Sequence, residues 1–272
     1  MQSFHKLDMA STEWLTTHFL AKSPYRAREL STLPIRLGSR VLDLCCGPGL
    51  YMPLLLDLVG PTGQVTGVDR DPVSLDAAHQ RLSATPHRNW RLEQALLQDY
   101  DADISGYDVV LLFNSIGYFQ EPFSVLETIA RRVRTGGVVI VKDFDLESFF
   151  FSPRETSPWA SLIAAAKERN DTDNPVSFNN FFGRKVHTLH RASTFREWAN
   201  QTWTQLMTFP FDSFQQEYIW RNVECLLKQA GEECPAETQA YFHKLFFPPA
   251  PRFFDNPDAM FVEVEYLTLL WK

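Results

Sequence analysis

Between residues 40 and 142 short apolar runs recur, each followed by a segment with helical spacing of its apolar positions. "RVLDL" (40–44) leads into "GLYMPLLLDLV", and "QVTGV" (64–68) leads into "PVSLDAAHQRL". "YDVVLLF" (107–113) precedes "PFSVLETIARRV", and "GGVVIVK" (136–142) follows it. These runs are apolar on both faces, as strands are when helices cover a parallel sheet on two sides. The alternation predicts an α/β fold with a doubly wound, mostly parallel sheet and right-handed crossovers. In such a sheet ligands sit beyond the carboxyl ends of the strands, beside the first strand-to-helix turn.

The pattern changes near residue 143. Ten of the twelve glycines precede it, and all but five of the twenty-two phenylalanines follow it. The first half therefore carries the turn punctuation, and the second half is dense in rings ("SFFFSP", "FNNFFG", "KLFFPPAPRFF"). Two strand-like segments remain there, "TWTQLMTFPF" (202–211) and "MFVEVEYLTLLW" (260–271). Three regions are expected: an N-terminal helical cap (1–35), an α/β core (36–145), and a remainder (146–272) holding the last strands. Aromatic-rich helical insertions are expected at about 146–192 and 212–258.

A formal charge of −7 argues against a nucleic-acid partner, which would select a basic face. No run approaches the about 18 apolar residues of a membrane span. "MQSFHKLDMASTEW" lacks the basic-then-apolar order of a secretory leader. Cys45, Cys46, Cys225 and Cys234 form no metal-ligand spacing and read as reduced thiols, so a cytoplasmic protein without a bound metal is expected.

The chemistry concentrates in "VLDLCCGPGLYM" (41–52), where Asp43 interrupts an apolar run and Gly47 and Gly49 follow. Glycines at such a turn let backbone approach a ligand closely. Asp69 ends the next strand, 22 residues past Gly47, where a carboxylate accepts both hydroxyls of a ribose. Asp71 precedes Pro72 and reads as a helix N-cap. A dinucleotide turn requires a third glycine, and here that position is Met52. The acid before the turn is a natural partner for an amino group. A cofactor with ribose, adenine and an amino-acid end fits these residues better than a dinucleotide does.

These segments resemble the class I S-adenosylmethionine-dependent methyltransferases over roughly residues 36–145. "VLDLCCGPG" and "VTGVDRDPVSLDAA" are similar to that family's first and second motifs, and "YDVVLLFNSIGYF" to its fourth-strand segment. "LETIARRVRTGGVVIVKDF" resembles the helix, glycine turn and fifth strand that follow. The resemblance implies a Rossmann-like methyltransferase fold, with the aromatic insertions after strand five, and S-adenosylmethionine as cofactor. Asp43, Cys45, Gly47 and Gly49 would flank its methionine end, Asp69 would hold the ribose, and Arg70 would lie against the adenine. Gln94, Gln98 or Asp99 would reach the adenine amine, and Asn114 and Ser115 would face the methionyl half. The segment after strand four lacks the Asp/Asn-Pro-Pro-Tyr/Phe pattern of many nucleic-acid and protein methylators. Asn114 stands where catechol-type members place a metal-binding aspartate.

The implied activity is methyl transfer to a small aromatic or hydrophobic metabolite, on oxygen or nitrogen, with carbon also open. His187 and His190 are the expected bases because histidine titrates near neutrality, and Tyr118 just past strand four joins them. Tyr25, Tyr51, Phe181 and Phe182 are expected to line the substrate pocket, with Asp143 and Glu217 anchoring a substrate amine. Two alternatives stand: a fold that binds the cofactor without methylating or that catalyses another reaction, and an NAD(P)-dependent oxidoreductase disfavoured by Met52. The insertions would act as a lid or pack against a second subunit in a homodimer.

Overall fold

The computed structural model describes residues 10–154, 156–172, 178–192, 194–247 and 252–272. Two short helices come first. In α1 (Thr12–Leu20) the Ser11 hydroxyl accepts from Trp14 N at 3.2 Å, and α2 (Ser23–Leu30) carries a proline in its first turn. Then β1 (Arg40–Leu44), α3 (Met52–Val59), β2 (Gln64–Asp69), α4 (Pro72–Ser83), β3 (Trp90–Gln94), β4 (Val109–Phe113), α5 (Pro122–Arg132) and β5 (Val138–Phe144) alternate. Asp71 caps α4, its carboxylate accepting from Val73 N and Ser74 N at 3.2 and 3.0 Å.

Strands β1 to β5 pair in parallel in the order β3-β2-β1-β4-β5. Strand order reverses between β1 and β4, which opens a crevice beyond their carboxyl ends. The later elements are β6 (Phe150–Ser152), α6 (Thr156–Thr172), β7 (Glu197–Thr208), α7 (Ser213–Ala230), α8 (Ala236–Phe246) and β8 (Met260–Trp271). β8 runs antiparallel between β5 and β7 and also pairs with β6. β7 begins earlier than the apolar pattern indicates and stops before Pro210, which has no N–H for the ladder. Among the described residues no helix is long and apolar enough to cross a membrane.

Every residue of β4 and β5 is buried, because both sheet faces are covered. One face packs Leu55, Leu56 and Val59 of α3 on Val41, Val65 and Leu111. The other packs Leu126 and Ile129 of α5 on Leu42, Val110 and Val139. A third, aromatic core lies among α1, α6, α7 and α8. Phe151 is at its centre, edge-on to Trp159, Phe246 and Phe253 with centroids 5.2, 5.3 and 5.9 Å away. Most phenylalanines of the second half are held there, each buried ring contributing about 1.5–3 kcal/mol.

β8 inverts the usual polarity of a strand. Glu263 and Glu265 are fully buried, whereas Val262 and Val264 are half-buried. The cause is the N-terminal helices, which bring Lys22 and Arg26 onto that face. Lys22 Nζ lies 2.7 Å from Glu263 and 3.2 Å from Glu265, and Arg26 lies 2.7 Å from Glu265. Lys142 of β5 adds a third cation at 2.9 Å from Glu265. Glu29 completes the group, 3.0 Å from Arg26. Three cations thus meet three carboxylates out of reach of water, as buried charges require.

Candidate functional site

A cavity of about 1200 Å³ opens beyond the carboxyl ends of β1, β2 and β4. Its floor is the turn after β1. Cys45, Gly47 and Gly49 have φ of 59°, 52° and 64°, and Asn114, at the end of adjacent β4, has φ of 51°. Left-handed backbone is costly for residues other than glycine and concentrates where function over-determines it. At Gly49 a β-carbon would stand 2.9 Å from the Ala78 β-carbon of α4, so the turn presses directly on that helix.

Met52 occupies the place of the third glycine because of Gly67 on β2. A β-carbon on Gly67 would lie 2.8 Å from Met52 Sδ. The missing side chain on the strand accommodates the long one at the start of the helix.

Two carboxylates meet at this turn. Asp69 accepts from Gly47 N through Oδ2 at 2.7 Å and from Asp71 N through Oδ1 at 2.9 Å. Asp43 is buried, and its carboxyl accepts no hydrogen bond among the described residues. Burial first, and then the charge of Asp69, push its carboxyl up to about 7. A cation entering the cavity beside Asp43 would meet no competing partner and would favour the ionised carboxylate. The Cys45 thiol is pushed up to about 12 by burial and by Asp69 and Asp43, so it is not a nucleophile at neutral pH. On the β4 side Lys142 Nζ donates to Asn114 Oδ1 at 2.8 Å, which links the cavity wall to the buried charge cluster.

The cavity is also walled by Trp14, Leu15, His18 and Phe19 of α1 together with Tyr51, Phe113, Tyr118, Phe119, Phe144 and Phe178. Tyr51 stands edge-on to Phe19 and Phe113, with centroids 5.1 and 5.3 Å apart. Asp43, Cys45, Gly47, Tyr51, Asp69, Arg70, Gln98, Asn114, Ser115 and Tyr118, all singled out from the sequence, line this one cavity.

Other sequence-derived residues lie elsewhere. Gly49 supports the turn from behind, and Asp99 is exposed in a single helical turn after β3. Gln94 is exposed and donates to Arg70 O at 3.2 Å. Tyr25 donates its hydroxyl to Leu206 O. Phe181 and Phe182 are buried in two different cores. Glu217 pairs with Arg221 at 2.8 Å. Asp143, on β5, is buried, accepting from Phe144 N at 2.9 Å and Gly117 N at 3.3 Å, and burial pushes its carboxyl up to about 7. His187 and His190 are outside the cavity, each with Nδ1 2.6 Å from a backbone carbonyl, and His190 stacks on Trp198 at 4.5 Å.

Sequence reasoning did not reach Trp14, His18, Phe19 or Phe178, since nothing in a short helix announces which strand ends it will cover. Among the described residues, His18, Glu263 and Glu265 are spaced as a metal site would be, and the Lys22 ammonium sits among them, within 3.2 Å of each.

A family model described as a methyltransferase domain matches residues 35–209. The demethylmenaquinone methyltransferase of Staphylococcus aureus is 26% identical over 116 residues, covering 43% of this chain and 47% of that protein. The chain thus spans about half the length of the curated relatives it matches. The YcgJ protein of Bacillus subtilis superposes with a TM-score of 0.57 at 13% identity, over 92% of this chain and 99% of that one. Haemonchus contortus phosphoethanolamine N-methyltransferase 2 gives 0.55 at 14% identity, over 98% of this chain and 59% of its own. Those two structures share the fold. With the family match extending over more than half of its length, the chain belongs to the class I S-adenosylmethionine-dependent methyltransferases.

Proposed function

We propose that this protein transfers the methyl group of S-adenosylmethionine to a small, flat, apolar acceptor in the cytoplasm. The observation that carries the proposal is that one cavity is lined both by the carboxylates of Asp43 and Asp69 and by a set of aromatic rings. Asp43 would pair with the cofactor's amino group, the left-handed turn at Gly47 and Gly49 would admit its methionine end, and Asp69 would accept the ribose hydroxyls. Arg70 and Gln98 would border the adenine, and Asn114 and Ser115 the methionyl half. When bound, the cofactor supplies an electrophilic methyl group on a sulfonium.

The chain's own contribution is positional. Trp14, Phe19, Tyr118 and Phe178 bury an acceptor against the cofactor end and exclude water, and holding two reactants in line lowers the barrier by removing their freedom to separate and turn. Neither oxygen nor nitrogen is favoured as the methylated atom by these walls alone.

The test is a thermal-shift titration with S-adenosylmethionine, S-adenosylhomocysteine, NAD and NADP. Ligand at about 100 times its dissociation constant adds ~2.7 kcal/mol, a rise of several degrees. A rise with the two adenosyl ligands alone is expected. A rise with NAD or NADP alone overturns the reading.

A further inference from the structure

Lys22 Nζ has three acceptors around it: His18 Nε2 at 3.1 Å, Glu263 Oε1 at 2.7 Å and Glu265 Oε1 at 3.2 Å. An ammonium offers three N–H donors and no lone pair. Each donor therefore has one partner, and Nε2 of His18 accepts. The imidazole is neutral, with its proton on Nδ1. The surrounding charges agree. Burial first, then Lys22 and Arg26, lower the affinity of His18 for a second proton; Lys142 acts the same way and Glu265 opposes them. The rings of Tyr218, Phe144 and Trp14 hold the imidazole in place, with centroids 5.4, 6.0 and 6.2 Å away.

His18 lines the cavity, and Nδ1 makes no hydrogen bond among the described residues. A donor is thus held by a charge cluster on its Nε2 side, in a ring that lines the cavity. It carries no net charge and has no lone pair on that side, so it cannot serve as a base there. It can stabilise an oxygen anion, which a preorganised N–H in a water-poor site does well.

We infer that His18 orients the methyl acceptor as a fixed hydrogen-bond donor, and that this acceptor is an aromatic molecule whose phenolic oxygen it binds as the phenolate. The phenolic proton passes to solvent as the molecule binds, and one oxygen lone pair is engaged by Nδ1–H. The inference rests on the methyl-transfer reading above. The buried salt bridges act through His18, and through Asn114 by way of Lys142, so Lys22 is a positioning residue.

Two measurements on the full chain test it. In protein labelled with ¹⁵N-histidine and saturated with S-adenosylhomocysteine, long-range ¹H–¹⁵N spectra should give His18 the neutral, Nδ1-protonated pattern from about pH 5.5 to about pH 8.5. His18→Asn supplies the assignment. A titration within that range, or an Nε2-protonated pattern, overturns the inference. The second probe is 4-nitrophenol, added to the same complex and followed by absorbance. Its ionisation midpoint should fall by about one unit on binding, a tenfold shift. His18→Asn, whose amide nitrogen falls near the imidazole Nδ1, should keep most of the shift, and His18→Phe should lose it. An equal shift in His18→Phe, or no binding of 4-nitrophenol, overturns the phenolate assignment. If S-adenosylhomocysteine raises the melting temperature of both variants as it does the parent, the fold and the methyl-transfer reading survive either result. If it raises none of them, that reading fails first.

Discussion

Gly47 N donates to Asp69 Oδ2 at 2.7 Å, tying the turn after β1 to the tip of β2 across 22 residues of sequence. The carboxylate that would receive the ribose therefore also holds the loop that would receive the methionine end. Asp69→Ala should weaken S-adenosylhomocysteine binding by ~1.5–3 kcal/mol, roughly 10- to 100-fold. Asp69→Asn, which keeps one acceptor oxygen, should lose less. Isothermal titration calorimetry decides it, and an unchanged dissociation constant would remove Asp69 from the site.

Asp43 couples binding to pH. Its carboxyl is raised from 3.8 to about 7, so the folded protein holds this proton more tightly than the unfolded chain does. Its contribution to stability is complete below about pH 4 and is lost as pH rises through about 7. Asp43→Asn should therefore raise the stability of the ligand-free protein at about pH 8 by roughly 2–4 kcal/mol. The same variant should bind S-adenosylmethionine more weakly and lose the roughly tenfold gain in affinity expected between about pH 6 and about pH 8. Melting curves with and without ligand at both pH values separate the two effects. A variant that is less stable at about pH 8 would contradict the account.

Gly49 has φ of 64°, and a β-carbon added there would lie 2.9 Å from the Ala78 β-carbon. Gly49→Ala should cost about 2–4 kcal/mol, from left-handed strain and overlap with α4 together. Adding Ala78→Gly removes the overlap and leaves the strain, so it should recover part of the loss. Urea denaturation of the single and double variants measures the division. No recovery would locate the whole cost in the backbone.

Charge removal should be severe in one place and mild in another. Glu265 is bonded to Lys22, Arg26 and Lys142 at 0% side-chain exposure, and their charges hold its carboxyl well below the usual range. Glu265→Gln leaves three buried cations short of a partner and should cost about 3–5 kcal/mol. Lys167→Ala removes a pair to Glu147 whose partners are 45% and 32% exposed, and should change stability by less than about 1 kcal/mol. Comparable denaturation midpoints for the two variants would show that the cluster is not the strong element its burial implies.

The parallel half of the sheet was readable because strands buried on both faces leave continuous apolar runs. β1 begins and ends where "RVLDL" does, and β8 where "MFVEVEYLTLLW" does. The acids and glycines of the turn were readable because their spacing is local. Of the aromatic walls, Tyr51 and Tyr118 were readable beside the turn and strand four, but the α1 side was not. His187 and His190 attract attention as histidines in a polar stretch, yet they lie outside the cavity, whereas His18 sits in an ordinary-looking helix. Its importance depends on Lys22 and on Glu263, which lies 241 residues beyond Lys22. Alternation in "VEVEY" reads as glutamates facing water, and only the arrival of Lys22 and Arg26 turns that face inward. A charged residue repeated on one side of an otherwise apolar strand is the single local sign that such a cluster exists.

The inverted polarity of β8 also makes the first two helices a counter-ion supply for the sheet as well as its cover. Exchange of cap helices between related enzymes is a natural route to new substrate pockets, since Trp14, His18 and Phe19 all sit on one short helix. In this fold the exchange is constrained. A transplanted cap that fits the cavity but lacks cations at the positions of Lys22 and Arg26 would strand Glu263 and Glu265 in the interior. New specificity and the last strand would have to be redesigned together, so this molecule's substrate end and its structural foundation are inherited as one unit.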